Sequence, residues 1–248
     1  MKMKYGSLFL LVFFIFVSFT SVIKVNAVNT GFKTNQLPAE EKNMIISNIN
    51  ISLINEEPVK KAIICFDINS NQLVAIGQNT SDRKTICVYS KEGVFQWGYT
   101  FNCSGDFGVE WDEETLNIYL VRSGAIISVT SRGEVLDVLE VQNTIYNNSY
   151  VNHFIHATKR TIDNEEYFVR NNLGFLNLFA SAYSQIIVKD STGAESIIYD
   201  VGSMQLADII VIIGSVCLIV FVTMAGISQQ LKTSKPSPKG QGDGSVVT

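Results

Sequence analysis

The chain holds two histidines, four prolines and four cysteines in 248 residues, and charged side chains make up only 17% of it. The scarcity of histidine removes most metal and acid–base constellations. His153 and His156 are the whole supply, and at a spacing of three on an expected strand they point to opposite faces, so no shared metal is expected. Cys65, Cys87 and Cys103 precede the last apolar run and Cys217 lies within it; an odd number outside argues for buried strand thiols over a closed disulfide framework. No Ser/His/Asp or Cys/His spacing is present. Asp67-Ile68-Asn69-Ser70-Asn71 alternates oxygen ligands as a calcium loop does, but it lacks the glycine and the distal glutamate and reads as a polar turn. No catalytic residue, metal ligand or cofactor site is assigned.

Basic residues are also scarce where they would matter for nucleic acid. Residues 28–204 carry 13 Lys and Arg against 21 Asp and Glu, a net of −8. Nucleic acid demands a basic footprint, so it is excluded as a partner, and an acidic middle gives little reason to expect adhesion to an anionic bilayer.

What the chain has in excess is apolar character, 46% of all residues, and it is concentrated at the two ends. Lys2 and Lys4 precede an apolar run from Leu8 to Val22, and Val25-Asn26-Ala27 offers the small residues a signal peptidase cuts after, so 1–27 reads as a signal peptide. Ile209–Ile227 is 19 residues without a charge. At 1.5 Å per residue it reaches roughly 28 Å, close to the hydrocarbon thickness of a bilayer. A transmembrane helix is expected over 207–228, in contact with lipid through 209–227. The tail 229–248, rich in Lys, Pro, Gly and Ser, is expected to be disordered. Basic flanks stay on the cytoplasmic side. Lys2 and Lys4 at the front, and Lys232, Lys235 and Lys239 at the back, place both ends inside and 28–204 outside, a single-pass plasma-membrane arrangement.

Between these ends the pattern is β. Residues 28–59 are polar and Asn-rich and read as a stalk or lead-in with one strand in the apolar stretch 44–54. Residues 60–204 read as twelve short strands separated by turn signals: 62–68, 73–76, 85–89, 95–101, 107–111, 116–121, 126–130, 135–141, 154–162, 167–170, 185–189 and 196–201. No amphipathic helix of ordinary length is expected; 172–183 reads as a loop or a short helical turn. Three hairpins look alike, each an apolar strand, a polar turn closed by Gly93, Gly133 or Gly193, and a second strand. At positions +2, +4, +6 and +8 from each glycine stand Phe95, Trp97, Tyr99, Phe101; Val135, Asp137, Leu139, Val141; and Glu195, Ile197, Tyr199, Val201. Period 2 places each set on one strand face.

The glycines are 40 and 60 residues apart, and 40 is one four-stranded blade. Residues 60–201 therefore resemble β-propeller blades of the six-bladed or NHL-like kind, with AIICFDINSNQLVAIGQN…KTICVYSKEGVFQWGYTF as one blade. The WD dipeptide at its usual place and the GH signature are absent, and the resemblance carries no functional residue across. It implies an all-β fold of about three four-stranded antiparallel blades plus the C-terminal helix. Three blades do not close a ring of four to eight, so either the 44–54 strand and an insertion make up a fourth unit, or the domain stays an open stack of sheets, or copies of the chain assemble as a homo-oligomer.

Trp97 and Trp111 within the aromatic row, and Glu110 and Asp112 within the acidic run 110–114, are the candidate interaction residues, each weighed against packing or a solvated hairpin tip. The expected role is a membrane-anchored, non-enzymatic module that binds another protein or a glycan, or a subunit of a membrane assembly. The alternatives are a tethered hydrolase or lyase working through Glu110 and Asp112, and a sensor ectodomain.

Overall fold

The computed structural model describes residues 28–80, 83–180 and 182–233. The expected signal peptide 1–27 and the tail from 234 onward lie outside the described residues. The elements run β1 (Thr34–Gln36), α1 (Ala39–Ile49), β2 (Ser52–Ile54), β3 (Ile63–Ile68), β4 (Val74–Asn79), β5 (Lys84–Tyr89), β6 (Phe95–Phe101), β7 (Phe107–Asp112), β8 (Thr115–Leu120), β9 (Ala125–Val129), β10 (Val135–Val141), α2 (Ile145–Tyr150), β11 (Lys159–Ile162), β12 (Glu165–Arg170), β13 (Gln185–Lys189), β14 (Glu195–Asp200) and α3 (Gly202–Thr233). A π-helical turn, Val151–Ile155, continues α2, and a 3-10 segment, Gly174–Phe179, precedes β13.

All twelve strands read from the sequence between 60 and 201 are present, and they form three antiparallel sheets: β2-β6-β5-β4-β3, β1-β10-β9-β8-β7 and β11-β12-β13-β14. Two of the three have five strands, not four, because β2 pairs with β6 and β1 pairs with β10. The segment 28–59 is thus laid along the outer edges of the first two sheets. The expected strand over 44–54 is instead the end of α1 followed by β2. Ile45, Ile46 and Ile49 fall on one helical face against the core, Glu40 and Glu41 favour the helix start, and Asn50 in the left-handed region ends it. The expected strand from Phe154 begins only at Lys159, since 145–155 is helical.

The first sheet is buried on both faces. One apolar cluster, with Ile86, Val88, Tyr99 and Phe107, lies between it and the second sheet. Another, with Phe66, Tyr89, Tyr167 and Tyr199, lies between it and the third. Each buried Val, Leu, Ile or Phe removes apolar surface worth about 1.5–3 kcal/mol. The leading strands of the three meanders meet: β3 packs on β7 and on β11. The sheets do not close into a barrel or a propeller ring.

The three similar hairpins share one turn. Gly93, Gly133 and Gly193 have φ of +78°, +82° and +89°, and each donates its N–H to the residue three back, Ser90, Thr130 and Asp190. Only glycine adopts this φ without a steric cost. Bulges follow these turns, and they correct the expected faces. Tyr89 pairs with Phe95 but Val88 with Trp97, so Gln96 is the extra residue. Phe95 therefore faces the third sheet while Trp97, Tyr99 and Phe101 face the second.

Strand β14 runs into α3 with one residue between them. Over Gly202–Ile227, α3 is long and apolar enough to cross a membrane, and its residues 210–227 are exposed. Helical backbone continues to Thr233, past the expected start of the disordered tail at 229. The start of β3 lies beside this helix: Ile63 bridges to Tyr183, and Lys61 Nζ lies 3.9 Å from Met204 Sδ. The other end of β3, at Ile68, is about 17–20 Å away at 3.3 Å per residue. The domain thus has a helix-proximal end and a far end.

Candidate functional site

Trp97 on β6 and Trp111 on β7 line one cleft of about 200 Å³ at the far end, between the first two sheets. Asn69, Asn71 and Leu73 of the β3–β4 turn, Glu114 of the β7–β8 turn and Ser131 of the β9–β10 turn complete it.

Each tryptophan is fixed from behind. Trp97 Nε1 donates to Tyr99 Oη at 3.1 Å, and Tyr99 Oη donates to the carbonyl of Thr130 at 2.7 Å, a chain that crosses to the second sheet. Burial pushes the Tyr99 phenol up to about 12, so it stays a donor. The backbone N–H of Trp111 donates to Asp67 Oδ2 at 2.8 Å. Trp111 Nε1 is buried and has no hydrogen-bond partner among the described residues. The turn that brings Asn69 to the cleft is held by its own side chain: Asn69 Oδ1 accepts from the N–H groups of Asn71 and Leu73 at 3.0 and 2.9 Å, and Nδ2 donates to the Glu113 carbonyl at 3.3 Å. This is the five-residue segment that resembles a calcium loop, and within it the Asp67 carboxylate is spent on Arg160 and the Trp111 N–H, and Asn69 Oδ1 on the turn. The side chains of Asn71 and Glu114 and the hydroxyl of Ser131 are exposed and carry no hydrogen bond among the described residues, so they are placed to meet a ligand.

Glu110 and Asp112 stand on the opposite face of β7 from Trp111. Glu110 is buried and accepts three hydrogen bonds: from Thr30 Oγ1 at 2.6 Å, from the Gly31 N–H at 2.9 Å and from Tyr150 Oη at 2.7 Å. Asp112 Oδ2 accepts from the Asn29 N–H at 2.9 Å. Burial, and the hydrogen bond to the Glu110 carboxylate, push the Tyr150 phenol up. The two carboxylates bind the N-terminal segment and α2 to the second sheet. The structure therefore brings two of the four sequence candidates together, in the Trp97–Trp111 cleft, and places the other two behind it. The polar partners Asn71, Glu114 and Ser131 were missed because each lies in a different turn, at no fixed spacing from the tryptophans.

His153 and His156 lie on and just after the π-helical turn rather than on a strand, and His153 Nδ1 is 2.8 Å from the Ser149 carbonyl. Cys65 and Cys87 belong to the two different clusters, on opposite faces of the first sheet, so they cannot bridge. Burial pushes each thiol up to about 12. A larger cavity, about 450 Å³, opens at the helix-proximal end between α1 and the turns at Asn102–Ser104 and Arg122–Ser123. It offers one charged side chain, Arg122, and no aromatic face.

No protein-family model, no curated protein and no solved structure matches this chain.

Proposed function

We propose that this chain is a single-pass membrane protein whose propeller-like domain is a non-enzymatic, extracytoplasmic binding module, and that the Trp97–Trp111 cleft takes a saccharide. Three four-strand meanders, each starting from β3, β7 or β11 at a shared centre and repeating one glycine turn, support the propeller-like reading. The basic residues that flank the two apolar ends support an outside domain and an inside C-terminus.

The observation that carries the binding reading is the convergence of two partly exposed indoles with three unengaged polar side chains at the end away from α3. Indole faces cover the apolar C–H face of a sugar ring, while an amide, a carboxylate and a hydroxyl from separate turns meet its hydroxyls. A small number of placed polar groups on an aromatic floor is the usual make-up of a ligand site. The small volume suits a single terminal sugar.

The test is a glycan array probed with the full-length protein in nanodiscs, followed by titration of its tryptophan fluorescence with the best hit. Binding that falls at least tenfold in W97A and in W111A, with the thermal midpoint of E114Q unchanged and its affinity reduced, supports the reading. Silence across the array, or binding indifferent to both tryptophans, overturns it.

A further inference from the structure

The 3-10 segment Gly174–Phe179 exposes two large apolar side chains, Phe175 at 80% and Leu178 at 88%. They sit in an 18-residue stretch, 171–188, that contains no charged residue. In a water-facing loop such side chains are costly.

The loop is attached to α3. Gln205 Nε2 donates to the Ala182 carbonyl at 2.8 Å, and a cavity of about 200 Å³ between them is lined by Leu173 on the loop side and Gly202, Ser203 and Leu206 on the helix side. The charge-free run of α3 begins at Ile209, one helical turn below Gln205, a rise of roughly 6 Å. The headgroup layer on each side of a bilayer is about 5–8 Å thick. The loop is therefore level with the headgroups of whatever bilayer α3 crosses.

The charge distribution agrees. Among the described residues, the helix-proximal end carries Lys61, Arg83, Lys84, Arg122, Lys159 and Arg170 against Asp106, Glu140 and Asp200, with Lys159 and Arg170 paired to Glu166 and Glu195. The far-end turns and the strand ends beside them carry Glu92, Asp112, Glu113, Glu114, Glu134, Asp163, Glu165, Asp190 and Glu195 against Lys91, Arg132 and Lys189. The net acidity of the domain lies at the end away from α3, which leaves the near end suited to lipid phosphates.

We propose that the 174–179 segment is a second membrane contact, with Phe175 and Leu178 inserted among the lipids beside α3 so that the domain is docked on the bilayer and the tryptophan cleft points away from it. This rests on α3 spanning the membrane, so the experiment reports the two separately. Tryptophan is introduced singly as F175W, L178W and, within α3, F221W, in full-length protein reconstituted into phosphatidylcholine vesicles; the emission of the unsubstituted protein is subtracted. The expected result is quenching of all three by brominated lipid, with F175W and L178W at least threefold less sensitive to aqueous iodide than free tryptophan. Quenching of F221W by lipid, with F175W and L178W quenched by iodide instead, overturns the loop contact and leaves the span standing. F175W and L178W shielded from both quenchers would mean that a second protein surface covers them, which also overturns it. Failure of lipid to quench F221W removes the span and the proposal with it.

Discussion

Arg160 Nε on β11 donates to Asp67 Oδ1 on β3 at 2.8 Å, and the two side chains are only 9% and 6% exposed. Asp67 Oδ2 accepts from the Trp111 N–H on β7, so one carboxylate joins the leading strands of all three sheets. The guanidinium is engaged further: Nη2 donates to the Phe154 carbonyl at 2.6 Å, and Cζ lies 4.4 Å from the Phe154 ring centroid. Burial pushes the Asp67 carboxyl up, against the pull of Arg160 and of the Trp111 N–H.

Breaking this pair from one side leaves an uncompensated buried charge, which costs about 3–5 kcal/mol. R160M is expected to lose that much stability in urea unfolding of the detergent-solubilised protein, followed by tryptophan emission. The double variant D67L/R160M should recover part of the loss, because no orphaned charge remains although the Trp111 N–H loses its acceptor. Equal loss in both would mean that the ion pair itself, rather than its rupture, carries the stability.

Gly108 on β7 is required by Ile155. A Cβ at position 108 would overlap the Ile155 side chain, which packs there to hold the helical turn against the second sheet. G108A should destabilise by about 1–3 kcal/mol through overpacking. Adding I155A should make room and return part of that. A thermal midpoint unchanged in G108A would contradict the packing.

Glu110 is a structural acceptor here. E110A leaves three donors unpaired, and each buried one left so costs about 1–3 kcal/mol. The N-terminal segment should then be cleaved by protease well before the sheets are, as read by mass spectrometry of the first fragments. Saccharide affinity in E110A should stay within about twofold of the parent, because the carboxylate lies behind β7 rather than in the cleft.

The buried thiols and phenols set an alkaline limit. Cys65 and Cys87 rise from 9.0 to about 12 in the folded protein and Tyr99 from 10.0 to about 12, all by burial. An acid whose pKa is higher when folded keeps its proton there while the unfolded chain loses it. Stability is therefore unaffected below about pH 8 and falls as pH climbs from 9.0 towards 12. Urea midpoints measured from pH 8 to 11 should decline steadily, and C65A/C87A should flatten the decline. Iodoacetamide at pH 8 should modify the partly exposed Cys103 and spare Cys65 and Cys87 until the protein unfolds.

Sequence alone determined the β character of residues 60–201, the three glycine-closed hairpins and the apolar C-terminal helix. These are local properties: period 2, a positive φ and an uncharged run are each written in adjacent residues. Residues 39–49 went unread as a helix because Ile45, Ile46 and Ile49 satisfy a helical face and a half-buried strand almost equally over so short a run, and only packing against the core separates the two. The bulge at Gln96, which turns Phe95 away from Trp97, arises from pairing with β5 and has no signature in β6 itself. Tertiary structure decided which sequence candidates meet. Neighbours along β7 point to opposite faces, so Trp111 was carried to the cleft with Trp97 while Glu110 and Asp112 were turned to hold the N-terminal segment. It also decided that Asp67 and Arg160, 93 positions apart, would share a buried contact. Pairings over such distances are set by how sheets stack, because the chain between them imposes no spacing that a one-dimensional pattern can record.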